Sequence, residues 1–312
     1  MNLLAIVQLS YELPSYILYI IFTIQLGYKL IRKEKTFSNS FYILIFYKGL
    51  TDIILHTLLF LLVKMPRMLV FRDFFQMNSY LCSIFYLIST PCYTITFEIM
   101  LIMSINRYIA VGQPIMYERL FQNYLIYIYI FITLVIGGLI GVISSKFDCS
   151  YVYSDFLERL YVSYTTDDIT SFVLAYTFGF YIPLVVISFI LNVITIKKLK
   201  VKNFISCMSV SPDMRLLVYT FFSFVMAIFF LSVYILRVIS IFTHDNFYNI
   251  IGSTSLPYII DVETYGSFYF SLFTNPQLLN MFCFRKMVEV TQRNFAKLTK
   301  TIYLDGTKKL ST

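Results

Sequence analysis

The sequence predicts an all-α fold, a bundle of seven transmembrane helices with a short amphipathic helix after the last span. The first observation is composition: 58% of the 312 residues are hydrophobic and only 13% are charged. Average soluble domains carry about 25% charged residues, and a soluble fold of this composition would leave large apolar patches facing water. Lipid removes that difficulty, because it solvates one face of each helix.

The second observation is the length of the apolar runs. A hydrocarbon core of about 30 Å requires about 20 mostly apolar residues in a helix. Seven stretches meet this requirement, near 12–31, 41–63, 80–104, 124–144, 171–196, 216–241 and 256–283. Together with a tail at 284–312 they are interpreted as one domain covering 1–312, without an internal repeat.

The basic residues predict the orientation of the bundle. One side holds 18 of them: four at 29–35, two at 107–119, five at 197–215 and seven at 285–309. The other side holds 6, namely Lys64, Arg67, Arg72, Lys146, Arg159 and Arg237. Cytoplasmic loops carry the excess of Lys and Arg, so the N-terminus is predicted outside and the tail inside. This distribution in short loops, rather than on one globular face, argues against nucleic acid as a partner.

The residues after the last span predict an amphipathic helix lying on membrane lipid. Apolar residues from Phe284 to Leu298 recur at helical spacing, with basic residues such as Arg285 between them. A solvated helix explains the same pattern. Cys283 is interpreted as a buried thiol, with palmitoylation as the alternative.

A spacing in the third span is the most informative motif. Cys82 lies at its outer end and Arg107, within Asn106-Arg107-Tyr108, at its inner end. At about 1.5 Å per residue the two are a membrane thickness apart. Cys149 falls in the longest connection of the chain.

This constellation resembles the rhodopsin-like G-protein-coupled receptors. The resemblance implies a disulfide between Cys82 and Cys149, and a coupling motif at Arg107 in which Asn106 replaces the usual Asp. Asp52, Pro183 and Asn275-Pro276 extend the similarity. Leu279 departs from it, because the family has Tyr at this position, and the sixth span lacks proline.

Within that superfamily the chain is most similar to the nematode serpentine receptors of class gamma, with class V as the nearest alternative. The similar segments are 8–16, 40–42, 105–108 and 114–118. The resemblance implies detection of a small molecule or peptide, coupling to a heterotrimeric G protein, and a place in the plasma membrane, including that of sensory cilia. The expected coupling residues are Asn106, Arg107, Tyr108, Lys197, Lys198, Lys200 and Arg285.

Ionisable side chains inside spans are costly and are therefore functional candidates. Asp52 and Asn275 are predicted to form a polar, ion-binding centre, with structural hydrogen bonding as the alternative. Glu98 is predicted to be neutral and bonded to a neighbouring helix. Arg107 is predicted to pair in the resting state with Asp213, which otherwise caps the sixth helix.

Five residues are candidates for a ligand pocket near the outer end of the bundle: Ser89, Thr90, Tyr93, Asp261 and Glu263. A cavity between helices with an apolar lining and few polar groups suits a small ligand. The alternative interpretation makes Asp261 and Glu263 ordinary loop or interface residues.

The sequence argues against an enzyme. His56 and His244 form no metal-binding pair, and neither a phosphate-binding glycine loop nor a serine nucleophile elbow is present. No metal or cofactor is predicted. The alternative functions are a ligand-gated channel of the seven-helix odorant-receptor type, which places its N-terminus inside, and a small-solute transporter, which the lack of repeats disfavours.

Overall fold

The computed structural model describes residues 3–37, 39–121, 123–154, 159–166, 169–206, 212–243 and 246–282. Within these ranges the chain forms seven long helices: α1 (Leu3–Ile31), α2 (Ser40–Leu59, continued by a π-helical turn at Phe60–Lys64 and by Met65–Arg67), α3 (Tyr80–Gly112), α4 (Asn123–Ser144), α5 (Ile169–Tyr176, a π-helical turn at Thr177–Tyr181, and Ile182–Ser206), α6 (Pro212–Thr243) and α7 (Asn246–Thr274). Short helices occupy Lys35–Phe37, Arg72–Met77, Pro114–Leu120 and Pro276–Phe282.

The predicted helical membrane bundle is confirmed. Six of the described helices, α1 to α6, are long and apolar enough to cross a membrane. The seventh helix, α7, is 29 residues long but less apolar, because it carries Asp261 and Glu263. It also begins at Asn246, well before the predicted 256, since its polar first turns are supported by packing against α6.

A two-stranded hairpin, which the sequence did not predict, joins α4 to α5. Strand β1 (Cys149–Ser154) pairs antiparallel with β2 (Arg159–Tyr164), and Cys149 lies opposite Tyr164. Both strands are rich in Tyr and Val, which favour a half-buried pleated surface. The hairpin packs on α3, on the end of α2 and on α7, and therefore covers one end of the bundle.

Helix α3 is the centre of the bundle and contacts α2, α4, α5 and α6, whereas α1 closes the ring between α2 and α7. Pro91 of α3 packs directly against α4 at Gly141, where an added Cβ would overlap the proline ring. Glycine at this position therefore sets the close approach of the two helices.

The two ends of α3 define the two ends of the bundle. We call them the disulfide end, at Cys82, and the Arg107 end. The predicted amphipathic helix, the tail at 284–312 and Cys283 lie outside the described residues.

Candidate functional site

The predicted disulfide is confirmed. Cys82 and Cys149 are bonded, with their Cα atoms 5.9 Å apart. Both are buried; Cys82 lies in the first turn of α3 and Cys149 begins β1. The bond holds the hairpin against the end of the bundle.

At the opposite end, the Arg107 side chain is enclosed and only 2% exposed. Its guanidinium carbon lies 4.4 Å from the centre of the Phe41 ring, and its Nη2 donates to Oδ1 of Asn106 at 2.8 Å. Asn106 lacks the charge of the usual Asp, yet its amide oxygen supplies an acceptor to Arg107. Nδ2 of Asn106 in turn donates to Oγ of Ser40 at 3.1 Å.

The N-terminal cap of α2 fixes the position of the residues that enclose Arg107. Asn39 caps the helix, because its Oδ1 accepts from the backbone N–H of Phe41 at 3.0 Å. The hydroxyl of Tyr117 donates to the same oxygen at 2.7 Å and lies 3.0 Å from Oγ of Ser40. The helix Pro114–Leu120 is thereby joined to the residues that enclose Arg107.

The other predicted coupling residues are placed as follows. Nζ of Lys198 lies 4.3 Å from the centre of the Tyr108 ring, so these two meet beside Arg107, whereas Lys197 is exposed. The side chains of Lys200, Asp213 and Arg285 lie outside the described residues. The pairing of Arg107 with Asp213 therefore stays a prediction.

The structure does not bring Asp52 and Asn275 into contact. Nδ2 of Asn275 donates to the hydroxyl of Tyr42 at 3.0 Å, and its Oδ1 accepts from the backbone N–H of Gln277. Asn275 thus ties the break between α7 and Pro276–Phe282 to α2. Asp52 instead contacts Lys48 and Tyr19, so its partners are these two residues rather than Asn275.

Asp52 belongs to a buried group of charges, the Lys48 cluster, made of Lys48, Asp52 and Glu263. Nζ of Lys48 lies 2.7 Å from Oδ2 of Asp52 and 2.9 Å from Oε1 of Glu263. The Tyr19 hydroxyl also donates to Asp52 at 2.8 Å. The single ammonium group of Lys48 is thus paired with two carboxylates. Through these contacts the cluster joins α1, α2 and α7.

A second group, the Lys64 cluster, lies nearer the disulfide end and consists of Glu12, Lys64 and Asp261. Nζ of Lys64 lies 2.6 Å from Oε1 of Glu12 and 3.0 Å from Oδ1 of Asp261. Nε2 of Gln8 donates to the other oxygen of Asp261 at 2.8 Å. Asp261 is 1% exposed and Glu263 is buried, so the interpretation of these two as loop or interface residues was wrong.

His56 lies against the Lys64 cluster. Its Nδ1 is 3.6 Å from Oδ1 of Asp261 and 3.4 Å from the hydroxyl of Tyr265. Ligand atoms of Glu12, His56 and Asp261 lie within 4.8 Å of one another, a spacing that could hold a metal ion. The ammonium of Lys64 already occupies both carboxylates, however, and a metal ion would have to displace it.

A small cavity of about 20 Å³, the central cavity, adjoins the Lys48 cluster. Four helices contribute its wall: Lys48, Leu55, Tyr93, Thr96, Phe97, Met100, Met103, Ser223, Ala227, Phe230, Ile260 and Glu263. Its volume suits about one water molecule. The buried hydroxyl of Tyr93 has no hydrogen-bond partner within the described ranges.

Of the five predicted pocket residues, only Tyr93 and Glu263 line this cavity. Thr90 instead lies 3.2 Å from Oγ of Ser144 and so joins α3 to α4. Ser89 is buried with its hydroxyl unbonded in the described part of the chain, and Asp261 belongs to the Lys64 cluster. The central cavity does not bring all five together, because a two-residue step along a helix turns a side chain through more than half a turn.

Glu98 is buried, as expected of a neutral intramembrane carboxyl group. Its Oε2, however, has no hydrogen-bond partner among the residues that the structure describes. The predicted bond to a neighbouring helix is absent at this oxygen.

Sequence reasoning missed Glu12, Lys48, Lys64 and His56. Lys64 was counted with the basic residues of the minority side, and Lys48 was assigned to no site. The available signal was the spacing of Lys48, Asp52 and His56, which recur every four residues and therefore share one face of α2.

Comparison with known protein families agrees with this architecture. The family model described as serpentine type 7TM GPCR chemoreceptor Srx matches residues 20–216, well over half of the chain. No curated protein matched the chain. The match confirms a serpentine chemoreceptor but does not confirm class gamma, and chemoreceptors are not a class of enzymes. The chain belongs to the serpentine type 7TM GPCR chemoreceptor family Srx.

Proposed function

We propose that this chemoreceptor detects a small molecule or peptide at its disulfide end and activates a heterotrimeric G protein through its Arg107 end. In this proposal the N-terminus faces the cell exterior and the receptor lies in the plasma membrane, including that of sensory cilia. The observation that carries it is the enclosure of Arg107 on the Phe41 ring. In a resting receptor the coupling residue must be inaccessible to the G protein, and the enclosure of Arg107 meets this requirement.

The two ionic clusters supply a physical route between the ends. They link α1, α2 and α7 by buried charges, and such charges favour discrete arrangements over gradual deformation because each ion must keep a partner. A ligand shifts the balance of two arrangements only by binding one of them more tightly. We infer that the active arrangement moves α2 relative to α3 and releases Arg107 from Phe41.

Expression with a series of Gα subunits tests this proposal. Cells carrying the receptor are screened with volatile and water-soluble attractants, and calcium and cAMP are recorded. Arg107→Leu is expected to abolish the response at equal surface expression. Arg119→Leu, which removes an exposed guanidinium of Pro114–Leu120, serves as the matched control and should respond as the wild type.

A ligand-evoked response that persists in cells lacking Gα subunits would contradict G-protein coupling. Membrane currents recorded in the same cells would then support a ligand-gated channel. An unchanged response in Arg107→Leu would separate Arg107 from the coupling step.

A further inference from the structure

A second cavity lies at the disulfide end, and its wall carries positive charge without an acidic residue. We call it the arginine cavity, because its wall includes Arg67 of α2 and Arg237 of α6. We propose that it binds the carboxylate group of a small organic anion, which would be the ligand of this receptor. This inference rests on the proposed function and names its ligand class.

The position of the cavity suits a ligand that arrives at the disulfide end. Phe85 and Tyr86, about one turn beyond Cys82, form part of its wall, and Val162 of β2 reaches it from the hairpin. The disulfide therefore anchors one part of the chain that lines the cavity. Its volume of about 20 Å³ admits a group of roughly the size of a water molecule or a carboxylate.

Both guanidinium groups are held in place without a carboxylate. Arg67 donates to the carbonyl oxygens of Ser253 and Thr254 on α7. Arg237 lies with its guanidinium carbon 5.7 Å from the centre of the Tyr234 ring. Neither arginine forms an ion pair with any acidic residue that the structure describes.

Each of these arginines has an unused donor. Nε of Arg67 and Nε of Arg237 are enclosed and have no hydrogen-bond partner among the described residues. Enclosed positive charge without a counter-charge is costly, and an anion entering the cavity would offset that cost.

The chemistry of the wall points to a carboxylate with a hydrocarbon tail. Guanidinium groups bind carboxylates through paired, charge-assisted hydrogen bonds. The apolar side chains of Leu59, Val63 and Leu256 line the rest of the wall and would contact the carbon atoms of the tail that lie nearest the carboxylate. The central cavity offers the opposite environment, because its Lys48 ammonium already serves two carboxylates there.

Thermal unfolding of the full chain in phosphatidylcholine nanodiscs provides the test, with sodium octanoate as the probe and octylamine as the cationic counterpart. Octanoate should raise the Tm saturably and octylamine should not. Affinity should increase from butanoate to octanoate, by up to about fourfold for each added CH₂ that contacts the apolar wall. Arg237→Gln should weaken octanoate binding roughly tenfold to a hundredfold.

Matched variants separate binding from folding. Arg72→Gln removes an exposed guanidinium at the same end, one that lies over Tyr153 of the hairpin, and should bind octanoate as the wild type does. Arg237→Lys keeps the charge and should retain binding. Arg67→Gln removes the other guanidinium and provides the test if Arg237→Gln does not reach the membrane.

The inference is overturned if octanoate leaves the Tm unchanged, if octylamine acts equally, or if Arg237→Gln and Arg67→Gln bind octanoate as the wild type does. Stabilisation by phosphatidylserine nanodiscs without any response to octanoate would assign the cavity to a lipid headgroup and would also overturn it. Octanoate binding without a G-protein response would contradict the proposed function alone. A G-protein response to other ligands, without octanoate binding, would contradict this inference alone.

Discussion

Lys48 of α2 and Glu263 of α7 form an ion pair inside the bundle, with Nζ 2.9 Å from Oε1 and both side chains buried. The same ammonium lies 2.7 Å from Asp52, one turn further along α2. A single lysine therefore connects two helices and holds two carboxylates that would otherwise repel each other. The pair lies between the hairpin at one end and Arg107 at the other.

Replacement of Lys48 tests the importance of this pair. Lys48→Met should destabilise the receptor by about 3–5 kcal/mol, because breaking a buried pair leaves the remaining charges uncompensated. Lys48→Met/Asp52→Asn/Glu263→Gln should restore much of the loss by removing those charges. The Tm in detergent and the surface expression report the effect. Lys146→Met, at an exposed lysine, is the control, and equal stability of Lys48→Met and this control would contradict the prediction.

The sequence was sufficient to predict features that depend on local composition or on the spacing of residues within one helix. The apolar runs predicted α1 to α6 because a membrane span requires about 20 apolar residues whatever its neighbours. The start of α7 was missed, since Asn246 and the polar residues after it are helical through packing on α6. The hairpin was missed because two strands of six residues give a weak pattern inside a loop.

The charged sites could be predicted only in part, because their partners are far apart in sequence. Lys64 pairs with Glu12 and with Asp261, contacts that one sequence does not reveal. Lys64, Arg67 and Arg237 were counted as loop residues because they lie near span ends. The structure places their side chains in contact with residues of the bundle. Fewer basic residues therefore remain in the loops of the side that had 6 of them.

The orientation of the chain is the second prediction. With those three residues and Arg107 inside the bundle, the count becomes 17 basic residues on one side against Arg72, Lys146 and Arg159 on the other. The charge bias therefore favours an exterior N-terminus more strongly than the sequence count alone. A tag before Leu3 should stain on intact cells and a tag after Thr312 only after permeabilisation. Staining of the C-terminal tag alone on intact cells would reverse the orientation and support the channel alternative.

The disulfide gives a third prediction. Cys149→Ser should free the hairpin from α3 and lower stability by about 4 kcal/mol on the chain-entropy model, an upper value for a chain already held by lipid. Surface expression and the Tm measure the loss. Cys92→Ser replaces a buried cysteine that is not in a disulfide and should have a smaller effect on both. Equal behaviour of the two variants would mean that the bond does not stabilise the folded receptor.

The proposed resting pair of Arg107 and Asp213 is tested separately. Asp213→Asn keeps the helix-capping oxygen but removes the charge. Raised basal signalling is expected if Asp213 holds Arg107 in the resting state. Unchanged basal signalling at equal surface expression would leave Asp213 as a helix cap.

The contact between Arg107 and Phe41 leads to the last prediction. A guanidinium over an aromatic ring gains about 0.5–2 kcal/mol, and this gain is present only while Arg107 is enclosed. Phe41→Leu keeps an apolar side chain but removes the ring face, so the closed arrangement loses that stabilisation and basal signalling should rise, by roughly twofold or more. Phe37→Leu changes a neighbouring buried ring that contacts Tyr42 and should leave basal signalling unchanged. If both variants signal alike at equal surface expression, the Phe41 ring does not hold Arg107 in the resting state. Asn106 would still hold Arg107 at the start of α2 in that case, because Asn106 donates to Ser40 and accepts from Arg107 whichever residue occupies position 41.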